Sequence, residues 1–326
     1  MKGESHTRSA QRTSPGTRSE QAMTLSHCGS PNSKLGLLLM GDNSLVNFGD
    51  LSKPATVLIK KVSDAIGGIF QPFQIKRVAK AEAEAGLIHA EAEIQITQLH
   101  RRAMHRFVEE EAKKQANIED ITNNALPMLG ENADPSTMED DWITNFFDKC
   151  RIVSDKEMQK LWSGVLAGEA RKPGQFSRRT VNILGDLDKS DAELFKNLCG
   201  FVWVIGAATP LVFDTQDSMY TSQNITFLNL IHLESLGLVQ FNNIGGFQNQ
   251  KLPKKIVVHY YGVPILLTFP EESDNVLELG HVLLTKAGQE LANVCGSESS
   301  PTFREFVLSK WSNNSYQPQI LPTPEP

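Results

Sequence analysis

Apolar side chains along residues 71–118 recur at helical rather than strand spacing. Ala85, Ile88, Ala92, Ile96, Leu99, Ala103 and Phe107 are separated by steps of 3, 4, 4, 3, 4 and 4, which is an eleven-residue repeat. Such a repeat keeps an apolar stripe nearly straight or winds it right-handedly. Strong helix formers fill most of the remaining positions, with Pro72 near the start and Gly86 inside. The pattern predicts one helix roughly 70 Å long, given about 1.5 Å of rise per residue. A domain of this size does not need that length to cover its own core, so a second copy of the chain is expected along it. Ile88, Ile96, Leu99 and Phe107 are the residues expected to carry that self-association.

Ahead of this stretch, Ser52 is placed to cap a short helix ending near Ile66. Val57, Leu58, Val62, Ala65, Ile66 and Ile69 share one face of it, with Lys53, Lys60 and Lys61 on another. Gly67 and Gly68 then break the pattern. Intramolecular cover, by folding back against the long helix, is the expected fate of the apolar face. An interfacial position on a membrane through residues 53–70 is the alternative.

Downstream, Ser136 precedes Glu139, Ser154 precedes Glu157 and Ser190 precedes Glu193, each at the spacing of a capping box. Ser177 is a further cap. Helices are predicted over residues 137–151, 155–170, 178–187 and 191–205. Trp142, Phe146, Phe147, Met158, Leu161, Trp162, Val165, Leu166, Leu184, Leu187, Phe195 and Leu198 are their expected core. The uncharged run from Asn197 to Phe213 is too short to span a bilayer, for which about 20 residues are needed. It reads as a buried helix and its exit loop.

The last third changes period. Ile225, Leu228, Ile231 and Leu236 fit a helix that stops at Gly237, and residues 238–244, 255–269 and 276–284 are rich in β-formers. With a helix opening at Thr285, this order looks like a winged helix, a module that often reads DNA. Residues 206–326 hold six Lys or Arg against eleven Asp or Glu. Phosphate neutralisation requires the opposite balance, so nucleic acid is an unexpected partner.

Composition adds limits rather than chemistry. The 326 residues are 40% hydrophobic, enough for a real core, and carry a formal charge of −6. Residues 1–33 are rich in Ser, Thr, Gly, Arg and Gln and are expected to be disordered. No signal-peptide core stands near Met1, so no export is expected. Cys28, Cys150, Cys199 and Cys295 are scattered without CxxC or metal spacing, as in reduced cytoplasmic proteins, and read as structural. His100 and His105 are five apart and face different ways around a helix, which does not suit a metal. No phosphate loop, nucleophile elbow or zinc-protease motif occurs. Catalytic residues, metal ligands and cofactors are therefore not assigned. Arg178 and Arg179, just past the Ser177 cap, are the one candidate anion contact.

Two stretches carry a resemblance. SDKEMQKLWSGVLAGEARKPGQFSRRTVNILGDLDKSDAELF at 154–195 and DAIGGIFQPFQIKRVAKAEAEA at 64–85 resemble an uncharacterised, mostly gammaproteobacterial family of unknown function, over about residues 50–295. More loosely, the arrangement is similar to the abortive-infection alpha proteins. That likeness implies a role in phage defence and supplies no catalytic residues.

The expected fold is mainly α with a small α+β C-terminal part: a long helix and a helical unit followed by a winged-helix-like module. The expected segments are 1–49 as a poorly ordered arm, 50–118 as the amphipathic and long helices, 119–205 as a compact helical unit, 206–295 as the winged-helix-like module and 296–326 as a tail. Functionally, the chain is expected to be a cytoplasmic, non-enzymatic interaction protein that forms a homo-oligomer. A winged-helix DNA-binding regulator is the alternative.

Overall fold

Residues 51–66 and 97–322 are described by the computed structural model. The first helix, α1 (Lys53–Ile66), begins where Ser52 accepts a hydrogen bond from the Ala55 amide at 3.3 Å. Its Leu58, Ile59 and Val62 are buried, and they pack on the helix α3 (Asp140–Cys150) and the 3-10 turn Pro135–Thr137. Lys61 fixes this docking through Met138 O at 3.2 Å and Asp140 Oδ1 at 2.8 Å. The apolar face thus has intramolecular cover, from the helical unit.

Helix α2 (Gln98–Ala125) is capped by Thr97, which accepts from the His100 amide. The part of the expected long helix from residue 71 to 96 lies outside the described residues, as do Gly67 and Gly68. α2 also runs seven residues past the expected end, to Ala125. Its buried positions begin only at Asn117. From there it lies on α4 (Lys156–Arg171), where Ser163 donates to Ile121 O at 2.9 Å and Gln159 bonds Asn117.

α3 and α4 form the aromatic centre of the unit. Phe146 stacks on Trp142 at 5.0 Å and meets Phe147 and Trp162 edge-on at 5.1 Å. α4 is buried almost throughout its second half, and a Cβ at Gly168 would sit 2.5 Å from the Phe176 ring, so that position must stay glycine. α5 (Arg178–Gly185) and α6 (Lys189–Cys199) complete the unit. Of the expected core residues only Leu161 is half-buried rather than buried.

The caps differ from expectation in a consistent way. Aspartates standing within two residues of the serines take the free amides. Asp155 accepts from Glu157 and Met158, leaving Ser154 one residue outside the helix. Asp134 caps the 3-10 turn that contains Ser136, and Asp188 forms a capping box with Asp191 rather than Ser190 with Glu193. A carboxylate is a stronger acceptor than a hydroxyl and also complements the helix dipole. Ser177 caps α5 as expected.

The fold class departs from a mainly α chain with a small α+β end. Among the described residues, nine strands in three sheets build an α/β C-terminal half. The departure begins at α6, which ends at Cys199 instead of reaching 205. The uncharged run beyond it is a hairpin, not a buried helix. β1 (Val202–Ile205) turns at Gly206, at φ +77°, onto β2 (Ala207–Pro210). VWVI is aromatic and β-branched, which suits a pleated surface. The expected boundary between residues 205 and 206 therefore falls inside one hairpin.

After the one-turn α7 (Ser218–Thr221) comes α8 (Phe227–Ser235), which ends before Gly237 at φ +77°. The remaining strands are β3 (Val239–Phe241), β4 (Phe247–Leu252), β5 (Lys255–Tyr260), β6 (Val263–Thr268), β7 (Asn275–Gly280) and β8 (Val282–Leu284). They do not assemble as a wing. β3 pairs with β8, β4 pairs with β7, and β5–β6 joins β1 and β2 in a five-stranded antiparallel sheet. The winged-helix-like module is thereby replaced by strands shared among three sheets.

α9 (Lys286–Ala292) follows its Thr285 cap as expected. Residues 296–326, read as a tail, also belong to the fold over most of their length. α10 (Pro301–Asn313) buries Phe303, Val307 and Trp311, and β9 (Gln317–Ile320) pairs with β6 at the end of the five-stranded sheet. Trp311 packs on Trp203 of β1, their centroids 4.9 Å apart, so helix and sheet share one core cluster with α3 and α4.

Candidate functional site

Three places answer to the residues singled out in the sequence or to chemistry that it concealed. The first is the N-terminal half of α2. Leu99, Met104 and Phe107 are exposed, Leu99 at 66% and Phe107 at 61%. Arg101, Arg102 and Arg106 precede Glu109, Glu110 and Glu111 on the same exposed half, with Arg106 and Glu110 paired at 3.4 Å. Of the expected self-association residues, Leu99 and Phe107 thus share an open helix surface. Ile88 and Ile96 lie outside the described residues.

The second is the N-terminus of α5. Arg178 is exposed and stands 3.8 Å from Asp141, and Arg179 is exposed beside it. The anion position at this helix end is already filled by the protein itself. Glu290 of α9 accepts from the Ser177 amide at 2.9 Å and from the Thr180 hydroxyl at 2.6 Å. One turn back, buried Glu169 accepts from the Gly174 and Phe176 amides at 2.6 and 2.8 Å. Burial holds its carboxyl above the usual range, against those bonds. The two carboxylates organise the 172–180 turn, and the arginines flank it without closing a pocket on an anion.

The third place was not visible in the sequence. A cleft of about 610 Å³ lies between α4, α6 and the segment 293–296 that follows α9. Gly164 lets that segment approach, since a Cβ there would meet Val294 at 3.2 Å. Lys160, Arg171, Lys189 and Lys196 line the cleft against Glu157 and Glu193. Lys160 is paired with Glu157 and Lys189 with Asp155. Half-buried Cys295 forms part of the wall, and fully buried Cys199 stands behind it at the end of α6.

The Cys295 thiol donates to Ala292 O at 3.3 Å and lies close enough to the Cys199 thiol for the two to influence each other. The Cys199 contact is the largest influence on Cys295 and, with bonds from Ser297, outweighs burial to bring its thiol down to about 7. Burial, followed by the same contact, pushes Cys199 well above the usual thiol range. Two adjacent tyrosines brace the surroundings from the β5–β6 turn, where Tyr261 and Gly262 both have positive φ. Tyr260 donates to Gly200 O at 2.8 Å and accepts from the Ser300 amide. Tyr261 Oη lies 3.0 Å from Cys199 O and 2.6 Å from Ser297 Oγ. The cysteines are 96 positions apart in sequence, and no local spacing announces their meeting.

Among the described residues no group of three or more His, Cys, Asp or Glu side chains could hold a metal ion. No described helix is long and apolar enough to cross a membrane. No curated protein and no solved structure matches the chain. A family model described as "Protein of unknown function (DUF2806)" matches residues 101–307, from the exposed half of α2 into α10. By that match, which covers more than half of its length, the chain belongs to this family of proteins of unknown function.

Proposed function

We propose that this is a cytoplasmic, non-enzymatic interaction protein whose working contact is made with a second copy along the N-terminal half of α2. The observation that carries the reading is the exposure of Leu99, Met104 and Phe107 on a helix whose buried positions begin at Asn117. Charge complementarity favours a second copy over another partner. Set antiparallel, the Arg101, Arg102 and Arg106 block of one copy meets Glu109, Glu110 and Glu111 of the other. Apolar contacts along the seam supply the affinity, and the charges set the direction.

A part in bacterial phage defence is the finer form of this proposal. It rests on the looser likeness of the arrangement, an amphipathic segment ahead of helices and a small C-terminal part, to the abortive-infection alpha proteins. Peripheral membrane contact through residues 53–70 would first require Leu58, Ile59 and Val62 to leave the core that α1 completes. For nucleic acid, the acidic balance of residues 206–326 remains the opposing argument.

Light scattering on the full chain tests the contact. At tens of micromolar, the wild-type protein is expected as a dimer or larger, and the double variant Leu99→Asp, Phe107→Asp as a monomer with unchanged circular dichroism. A monomeric wild type, or a double variant that associates as before, would overturn the proposal.

A further inference from the structure

We propose that Cys295 and Cys199 form a peroxide-sensitive thiol pair, with Cys295 the thiol that meets the oxidant in the cleft and Cys199 the thiol that resolves it into an intramolecular disulfide. Three observations carry this. Both cysteines are free, and their thiols face each other closely enough for each to act on the other's charge, the Cys295 thiol meanwhile donating to Ala292 O at 3.3 Å. One of them opens on a cleft of about 610 Å³, large enough to admit a small hydroperoxide, whereas the other is buried. Third, the segment bearing Cys295 is loop backbone that ends in Gly296 at φ +71°, outside any helix or strand. Such backbone can take up the shift that brings two sulfurs to a bond length of about 2.05 Å.

The polar setting supports the same division of labour. Ser297 and the Cys199 thiol stabilise a thiolate on Cys295, and the thiolate is the reactive form. Cys199, held protonated by burial, is no nucleophile until its neighbour has been oxidised. Among the described cysteines none acts on Cys150, and burial raises its thiol well above the usual range, so it behaves as a small core hydrophobe.

In the first step the Cys295 thiolate attacks the outer oxygen of a hydroperoxide. The O–O bond breaks, the alkoxide or hydroxide takes a proton and leaves, and Cys295 becomes a sulfenic acid. In the second, Cys199 loses its proton as its sulfur attacks that of Cys295. The S–O bond breaks and hydroxide leaves as water. Two thiols and one hydroperoxide thus give one disulfide, one alcohol (water, for hydrogen peroxide) and one water. The disulfide would tie the C-terminus of α6 to the 293–297 segment.

The test uses the reduced full chain and hydrogen peroxide, with quenching, alkylation of remaining thiols and peptide mapping. The expected main product is a Cys199–Cys295 linkage within one chain. In Cys199→Ser, Cys295 is expected to accumulate as a sulfenic acid trapped by dimedone, and in Cys295→Ser neither the linkage nor a Cys199 adduct should form. Iodoacetamide labelling of Cys295 should rise with pH through a midpoint near 7 in the wild type. Cys199→Ala should slow that labelling about tenfold at neutral pH, as the thiol returns toward about 8.5. Linkage through Cys28, oxidation of Cys150 as fast as Cys295, or a labelling profile that Cys199→Ala leaves in place would each overturn the proposal. Mapping of the wild-type chain decides the matter even if a variant fails to fold.

Discussion

The two halves of α2 have opposite fates. From Gln98 to Arg106 every residue is exposed, whereas Asn117, Ile118, Glu119, Ile121, Thr122 and Ala125 are buried. Local propensity does not account for this, since the weaker helix formers Asn117, Asp120, Thr122, Asn123 and Asn124 lie in the packed half. α4 does, because its Gln159 and Ser163 reach Asn117 and the Ile121 carbonyl and its apolar face covers Ile121. A helix buried along one half stays ordered there while its exposed half keeps its side chains open to solvent.

The contrast can be broken most severely at its buried end. Ile121→Ala removes a fully buried side chain and is expected to cost about 2–5 kcal/mol, measured by urea unfolding. A loss below 1 kcal/mol, order of magnitude for a half-exposed aliphatic, would show that this half is not anchored as described. Ser163→Ala removes one of the bonds that join α4 to α2 and should cost about 1 kcal/mol. Its effect should also appear as faster amide exchange around residues 117–125. At the small end, Phe107→Ala is expected to stay within about 0.5 kcal/mol of wild type in the same assay. It should nevertheless weaken association. A large stability loss from Phe107→Ala would mean that this half is packed within its own chain and is no docking surface.

Much of the helical unit was legible because its signals are local. Trp142 and Phe146, like Met158 and Trp162, stand four apart between turn residues, and Ser177 stands where its helix begins. The capping boxes failed by one or two residues because aspartates stood beside the serines, and spacing alone does not weigh one acceptor against another. The hairpin at 202–210 was hidden by its lack of alternation. Both faces of β1 carry large apolar side chains, and only Gly206 marks the turn. Partition of the later strands among three sheets depends on pairings such as Val204 with His259 and Leu267 with Pro318, which no window of neighbouring residues contains. The thiol pair is hidden for the same reason. Cys199 ends one helix and Cys295 follows another, and only the closed core brings them together.

The order of strands in the five-stranded sheet has a consequence for how the protein is made. β1 and β2 are complete at Pro210, but the strand that lies on the other side of β1 does not begin until Lys255. At about 5–20 residues per second on a ribosome, that interval lasts roughly 2–9 s. During it Val202, Trp203 and Val204 present an unpaired, apolar edge, the kind of strand that joins foreign strands when left open. Production in cells should therefore be limited by protection of this nascent edge more than by the stability of the finished fold, and slower translation between residues 210 and 255 should lower the soluble yield.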